Sequence, residues 1–573
     1  MATRRVVIDP VTRIEGHLRV EIEAADGVIA KAWTPCTQFR GLEIVLKDRD
    51  PRDAWVFAQR ICGVCTSIHA LAAIYAVEDA LKYPIPAQAQ AIRDMIAQAQ
   101  MVQDHVIHFY HLQALDWVNV VSASQADPAK AAALGASLSD WPLNGVGAMT
   151  QVKEQVTRLL ASGQLSIFTN GYWDHPDYRL PPEANLMALA HYLQALDWQR
   201  DMIKVHTIFG GKNPHPNFLV GGMASAINMD NQWTINQVRI DIIADLVEKC
   251  LAFVEQVYLP DVLAIGSFYK DYLEIGAANP NMLAVGLPGY CCAGSPNQEG
   301  FAAGVLLDGN YSDVKPFELN KIAEYVNSAW YTYSTGNESA LPPYMGETTP
   351  NYTGPVPPFS WLSDQPKYSW TKIPRYDNYA MQVGPNARLL VAYARNEPEI
   401  KPLVDAALQK LGAPLSSLNS TMGRMVARAV ESVYCARRYK AVFDSFVDAI
   451  KAGQTSTFNP ALWEPATWPA KAQGVGFVEA PRGTLSHWVN IENGKISNYQ
   501  AIVPSTWNSS GTDPMGVAGP FAYSLAHSGK HPLVDPAAPL EPLRTVHSFD
   551  PCMSCAVHIL DATGAQVTEV KVV

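Results

Sequence analysis

Cysteine is scarce in this chain, with nine in 573 residues. That excludes a disulfide-stapled scaffold, which needs a much denser set. Charge is thin as well, at 17% of residues, and it leans acidic: 43 Lys and Arg against 54 Asp and Glu, a net charge of -11. Nucleic acid is thereby excluded as a partner, because neutralising phosphates takes a basic stripe. Long uninterrupted charge-free runs are also missing. The longest charge-free stretch, Ile275–Gln298, is interrupted by Pro280, Pro288 and Pro296, so no membrane span is expected. Behind Arg4 and Arg5 there is no apolar segment of the export-signal kind, so any membrane association is expected to come through a partner. What the chain does have is apolar content of 48%, including 14 Trp, 24 Tyr and 17 Phe. That suits a large core or a sizeable obligate interface.

Four of the nine cysteines form two Cys-x-x-Cys clips at opposite ends of the chain, each trailed by a histidine. The first is Cys62-Gly63-Val64-Cys65 with His69; the second is Cys552-Met553-Ser554-Cys555 with His558. Two clips of two thiolates suit a soft or borderline metal. If they share it, the fold must bring both chain ends together. A closed four-thiolate zinc staple is the plain alternative, and a thioredoxin-like use would need one clip rather than two. Cys36, Cys250, Cys291, Cys292 and Cys435 read as small buried apolar side chains.

Strict alternation over residues 17–24 puts Leu18, Val20 and Ile22 on one face and Arg19, Glu21 and Glu23 on the other. Asp26-Gly27 then turns the chain into Val28–Trp33, a hairpin with one buried face. A second hairpin is expected where His487–Ile491 meets Ile496–Val503 across Asn493-Gly494. Between them, apolar positions recur at three- and four-residue intervals from Ala87 to about Ala123 without proline, which predicts roughly 50 Å of continuous helix. Similar patterns cover residues 183–208, 234–258 and 417–451. The Pro-rich run Leu341–Pro374 reads as a surface loop. The expected fold class is α+β and predominantly helical: one large domain over residues 1–558, with an N-terminal sheet near 3–35, a long central helix bundle near 86–450, and a C-terminal sheet with the second clip over 475–558. Residues 559–573 form an extension.

Around the clips stand Arg13-Ile14-Glu15-Gly16-His17, Arg40-Gly41-Leu42-Glu43, Arg60, His108-Phe109-Tyr110-His111-Leu112, Gly210-Gly211-Lys212-Asn213-Pro214-His215 and Ala480-Pro481-Arg482-Gly483. In this order, these motifs resemble the large subunit of a nickel–iron hydrogenase of the membrane-associated uptake type, over essentially the full chain. The resemblance implies that Cys62 and Cys552 are terminal thiolates on nickel. Cys65 and Cys555 would bridge nickel to an iron carrying carbonyl and cyanide. With cysteine at both positions of the second clip, the selenocysteine variety is not indicated.

The resemblance further implies heterolytic H2 oxidation to two protons and two electrons. Cys552 would be the first proton acceptor and Glu15 the outward relay; the plain alternative for Glu15 is an ion pair with Arg13 or Arg19. Arg482, Pro481, Asp104 and Asp550 would form a polar canopy over the site, although Asp104 alone would read as a solvated helix residue. His69 would hydrogen-bond a bridging cysteine, with Arg60 also beside the site. Glu43, the carbonyl of Ala501 and His558 would hold Mg2+. Val64 and Leu112 would line the narrow part of a gas channel, where small residues favour an enzyme over a gas sensor. Gln59 resembles ordinary rather than oxygen-tolerant members, and His215 would face the partner. His105, His108 and His111 drift apart around their helix and read as structural.

The fifteen residues from Ile559 resemble an extension that a maturation endopeptidase removes after His558 once nickel-insertion chaperones have loaded the site. No third cysteine group is spaced for an iron–sulfur cluster, so an iron–sulfur small subunit is expected as obligate partner, with a membrane cytochrome b beyond it. The implied location is the periplasmic side of the cytoplasmic membrane, by export with the partner; the cytoplasm is the alternative. A non-enzymatic H2-sensing or zinc-stapled relative is the competing function. The quinone-reducing scaffold of respiratory complex I is disfavoured, because all four cysteines are present.

Overall fold

The computed structural model describes residues 4–165, 168, 174–286, 291–293 and 303–556. The N-terminal sheet is three antiparallel strands in sequential order: β1 (Arg4–Ile8), β2 (Val20–Ala25) and β3 (Val28–Trp33). Asp26 and Gly27, both at positive φ (54° and 80°), make the β2–β3 turn, whose backbone twist matches that of paired strands. Leu18, Val20 and Ile22 are fully buried, as their alternation predicts.

The opposite face departs from expectation. Arg19 and Glu21 are buried too, joined at 2.6 Å, and Arg19 also pairs with Asp9 at 2.7 Å. Glu21 accepts the backbone N–H groups of Leu362 and Ser363, each at 2.9 Å. The Pro-rich run is therefore more than a surface loop. Its later part covers the polar face of the N-terminal sheet, and Leu362, Tyr368, Thr371 and Lys372 are buried. A buried charged pair is tolerable here because its donors and acceptors are satisfied.

Near the other end lies a four-stranded antiparallel sheet. Its order is β7 (Lys495–Ile502), β6 (Gly483–Glu492), β5 (Lys471–Ala480) and β4 (Cys291–Ala293). The expected hairpin is β6–β7, pairing His487 with Ala501 and Val489 with Tyr499. Helix α1 (Ile68–Leu81), which follows the first clip, lies directly on β5 and β6. It comes so close because of Gly474 and Gly476. A Cβ at Gly476 would strike the backbone of Ala72 and Ala76, and one at Gly474 the backbone of Ala76 and Ala80.

Helix α2 (Ala87–Ile107) does not run on to residue 123. The chain passes into a π-helical turn over His108–Gln113 and a 3-10 turn over Ala114–Asp116; a new short helix then starts at Val120, capped by Asn119. Tertiary bonds hold the altered register: Arg13 donates to the Leu112 carbonyl at 2.7 Å and pairs with Asp116 at 2.5 Å. Single π-turns inserted into α-helices are frequent at functional sites. The bundle continues with α3 (Pro182–Met202), α4 (Gln237–Phe253), α5 (Pro385–Ala394) and the 31-residue α6 (Thr421–Lys451). From Gln237 to Phe268 the helix continues through a π-turn, and this run is long and apolar enough to cross a membrane. Half of its most apolar window is buried, and α4 packs on α6.

Candidate metal centre

The first clip is held at the N-terminus of α1 by groups far away in sequence. Arg40 donates to the carbonyls of Ile61 (2.7 Å) and Arg60 (2.8 Å), and Gln100 on α2 donates to that of Val64 (3.1 Å). The second clip follows α7 (Leu540–His547). Cys552 pairs with Glu15 as an isolated parallel bridge; Met553 N–H donates to the Glu15 carbonyl at 2.7 Å. The approach needs Gly16, at φ +83°, where a Cβ would collide with the Ser554 backbone.

Both chain ends thus meet at one buried point. The Sγ atoms of Cys62, Cys65 and Cys552 lie within 4.8 Å of one another, and those of Cys62 and Cys552 are 3.6 Å apart. Cys555 falls in the last described turn, Met553–Ala556, but its side chain is outside the described residues, as are His558 and Ile559. Beside the sulfurs is a cavity of about 10 Å³ lined by Cys65, Cys552, Pro481, Arg482, Ser505 and His69 among others. Three buried thiols around a common point fit a thiolate-bound metal, and the adjoining cavity offers the Arg482 and Ser505 donors to a small polar group. Ser505 Oγ accepts the Cys552 N–H at 3.0 Å, so its own proton is available to that cavity.

Arg482 stands over the site between two carboxyls. Its Nη1 is 3.3 Å from Asp104 Oδ2, its Nη2 is 3.0 Å from Asp550 Oδ1, and its Nε donates to the Asp550 carbonyl at 3.1 Å. Asp104 is buried, not solvated, and accepts from Gln100 at 2.6 Å. Burial lifts its carboxyl to about 8, against the pull of Arg482. Burial would raise Asp550 too, but Arg482, His108 and Arg428 outweigh it and hold the group below the usual range. The two carboxyls that share one guanidinium are thus shifted in opposite directions.

Glu15 makes no ion pair with Arg13 or Arg19, whose partners are Asp116, Asp9 and Glu21. Its Oε2 lies 3.5 Å from Cys552 Sγ and accepts the Ser554 N–H at 3.1 Å. Burial, with Cys62 adding to it, raises the carboxyl above its ordinary value. His69 bonds His487 Nε2 through its Nδ1 at 3.0 Å, and burial lowers it to about 4. The three α2-region histidines serve as struts: His105 to Glu431 (2.6 Å), His108 to the His547 carbonyl (2.7 Å) and His111 to the Tyr192 carbonyl (3.3 Å).

The remaining residues sit farther out. Arg60 and Val64 are exposed beside the clip, and Gln59 is buried, donating to the Pro216 carbonyl at 2.7 Å. His215 Nδ1 is 3.3 Å from Thr66 Oγ1, so the His215 loop and the clip share one face. Leu112 is half-buried on the π-turn. Glu43 accepts the Ala501 N–H at 2.9 Å and lies 3.2 Å from Lys372 Nζ.

Several working residues were not visible from sequence reasoning. Ser505 and Tyr499 carry no motif of their own. Arg388, on α5, donates to the Ala480 carbonyl at 2.8 Å and to that of Pro481 at 3.3 Å, and binds Glu431 and Glu479 at 2.6 and 2.9 Å. It braces the loop that carries Arg482. Only the proximity of His487 to the Ala-Pro-Arg-Gly run offered a signal.

Comparison with known proteins finds relatives over almost the whole chain. A family described as nickel-dependent hydrogenase matches residues 40–558, and one described as HoxL-like matches residues 5–39. The uptake hydrogenase large subunit of Bradyrhizobium diazoefficiens is 48% identical, over 99% of this chain and 97% of its own. The hydrogenase-1 large chain of Escherichia coli is 42% identical, over 100% and 98%. Among solved structures, the Ni-Fe-Se hydrogenase from D. vulgaris Hildenborough superposes with a TM-score of 0.77 at 31% identity, covering 97% of this chain and 100% of that one.

Proposed function

This chain belongs to the nickel-dependent hydrogenase family, and on that premise we propose that its buried cysteine cluster is the seat of heterolytic H2 oxidation, releasing two protons and two electrons. The observation that carries the reading is the convergence of Cys62, Cys65 and Cys552 beneath Arg482 and beside Glu15. Cys62 and Cys552 would hold nickel, and Cys65 and Cys555 would hold nickel together with an iron bearing carbonyl and cyanide. When bound, this group supplies the redox chemistry. The solved relative is a Ni-Fe-Se hydrogenase, whereas this chain has cysteine at 552 and 555.

The protein's own groups then handle the proton. Cys552 Sγ accepts it and passes it across 3.5 Å to Glu15 Oε2. A carboxyl raised by burial is a better match to a thiol than an ordinary one, because transfer is easiest between groups of similar basicity. Glu15 is half-buried, so the proton leaves on that side. Arg482, fixed by Asp104 and Asp550, excludes water and directs N–H groups into the cavity.

Electrons leave through an iron–sulfur small subunit on the face that carries Arg60, Val64 and His215. Glu43, the Ala501 carbonyl and His558 would hold Mg2+. What supports this is the place of Glu43 beside residue 501, whose N–H it accepts at 2.9 Å, and Lys372 would share the carboxylate with the cation. Val64 and Leu112 border the gas route. Nickel-insertion chaperones and an endopeptidase acting between His558 and Ile559 complete maturation; the heterodimer works on the periplasmic side of the membrane with a cytochrome b. Purified nickel-loaded heterodimer should reduce an artificial electron acceptor under H2 and end at His558 by mass. Loaded protein with no H2-dependent reduction would refute the enzymatic reading, and an intact tail in active enzyme would refute the processing.

A further inference from the structure

Three buried side chains from three elements form one line behind the cavity. His69 lies on α1, His487 on β6 and Tyr499 on β7, and each is at most 1% exposed. His69 Nδ1 is 3.0 Å from His487 Nε2, and His487 Nδ1 is 2.6 Å from the Tyr499 hydroxyl. His69 also lines the cavity that Cys65 and Cys552 border. With its Nδ1 taken by His487, the ring nitrogen left for that side is Nε2.

The phenol decides which way the line is polarised. Among the described residues, His487 Nδ1 is the hydrogen-bond partner of the Tyr499 hydroxyl. If His487 donated to Tyr499, the phenol proton would be buried with no acceptor among the described residues, an unfavourable arrangement. With Tyr499 donating to Nδ1, His487 carries its proton on Nε2 and donates to His69 Nδ1. The His69 proton must then sit on Nε2. Every donor inside the line is used, and the His69 Nε2–H, the last of them, is left for the cavity that His69 lines.

We propose that Tyr499 and His487 are positioning residues that lock His69 in the Nε2–H tautomer, making it a fixed hydrogen-bond donor to the sulfur or small polar group at the cavity. Partners of this kind set ring orientation and ligand basicity at metal sites. The inference rests on the reading above, that an iron with carbonyl and cyanide occupies this cavity.

Infrared spectra of purified heterodimer test it. In Y499F the phenol proton is gone and the fold keeps its ring; H487L breaks the line, and H487Q retains an N–H for His69 Nδ1. With nickel and iron content equal to wild type, the iron-ligand bands should move in Y499F and H487L and return toward wild-type frequencies in H487Q. If H487L fails to fold or to load metal, Y499F alone decides. Wild-type bands with unmoved bands in Y499F would overturn this inference and leave the proposed function standing. Wild-type protein with nickel but no such bands would overturn both.

Discussion

The sulfurs of Cys62 and Cys552 lie 3.6 Å apart although 490 positions separate them in the chain. Nothing local brings them together. The first clip is fixed by α1 lying on β5, the second by the Glu15 bridge and by the N–H of Cys552 on Ser505. The site therefore exists only when the N-terminal segment, the C-terminal sheet and the second clip are all in place.

If Glu15 relays the proton from Cys552, E15Q keeps the shape and the Ser554 contact but cannot accept a proton. Turnover should fall by about 10²-fold or more, the usual scale for losing a positioned acid–base group. Nickel and iron content should not change. Dye reduction under H2, measured alongside metal analysis, checks this; near wild-type turnover in loaded E15Q would remove Glu15 from the relay.

Arg482 reaches Asp104 and Asp550 at once because a guanidinium is a planar fork. Lysine keeps the charge but cannot hold both carboxyls. R482K should lower turnover by roughly 10²–10³-fold, as the loss of a preorganised donor does. Steady-state kinetics on loaded protein is the check, and a change of only a few-fold would show that charge alone suffices.

The buried Arg388–Glu431 pair has a pH signature. Burial would raise Glu431, but the charge and hydrogen bonds of Arg388, with His105, hold it down at about 2, against 4.5 ordinarily. A folded-state value below the unfolded one adds stability that is present above about 4.5 and lost as pH falls through about 2. E431Q should be less stable by about 3–5 kcal/mol near neutrality and show a flatter loss of stability in acid. Thermal unfolding across that pH range tests both; a parallel slope in E431Q would place the acid sensitivity elsewhere.

At Gly476 the strand touches the backbone of α1, so G476A must push the helix off β5. Overpacking typically costs about 1–3 kcal/mol, and here it would also shift the clip at the helix start. G145A, where a Cβ meets nothing within 4 Å, is the matched control. Melting temperature should drop in G476A and not in G145A; equal values would contradict the packing described.

Periodicity made the β2–β3 and β6–β7 hairpins, the start of α2 and the end of α6 legible in the sequence. It failed where distant groups override local pattern. Arg19 and Glu21 read as solvent-facing, but a segment more than 300 residues later covers them. The π-turn after Ile107 has no periodic signal, because Arg13 and Asp116 impose it. β5 was missed since its Gly474 and Gly476 suit a helix above rather than a side-chain pattern. At the site, the cysteines and Arg482 announced themselves through motifs. Ser505, Arg388 and Tyr499 act through tertiary hydrogen bonds, several of them for Arg388, which leave no mark in a sequence.

The central claim is that both chain ends supply ligands to one metal centre. Nickel content of the purified heterodimer in C62S and C552S, each made alone, tests it most directly. Each single change should abolish nickel binding while the other clip stays intact. Wild-type nickel in either variant would contradict a shared site.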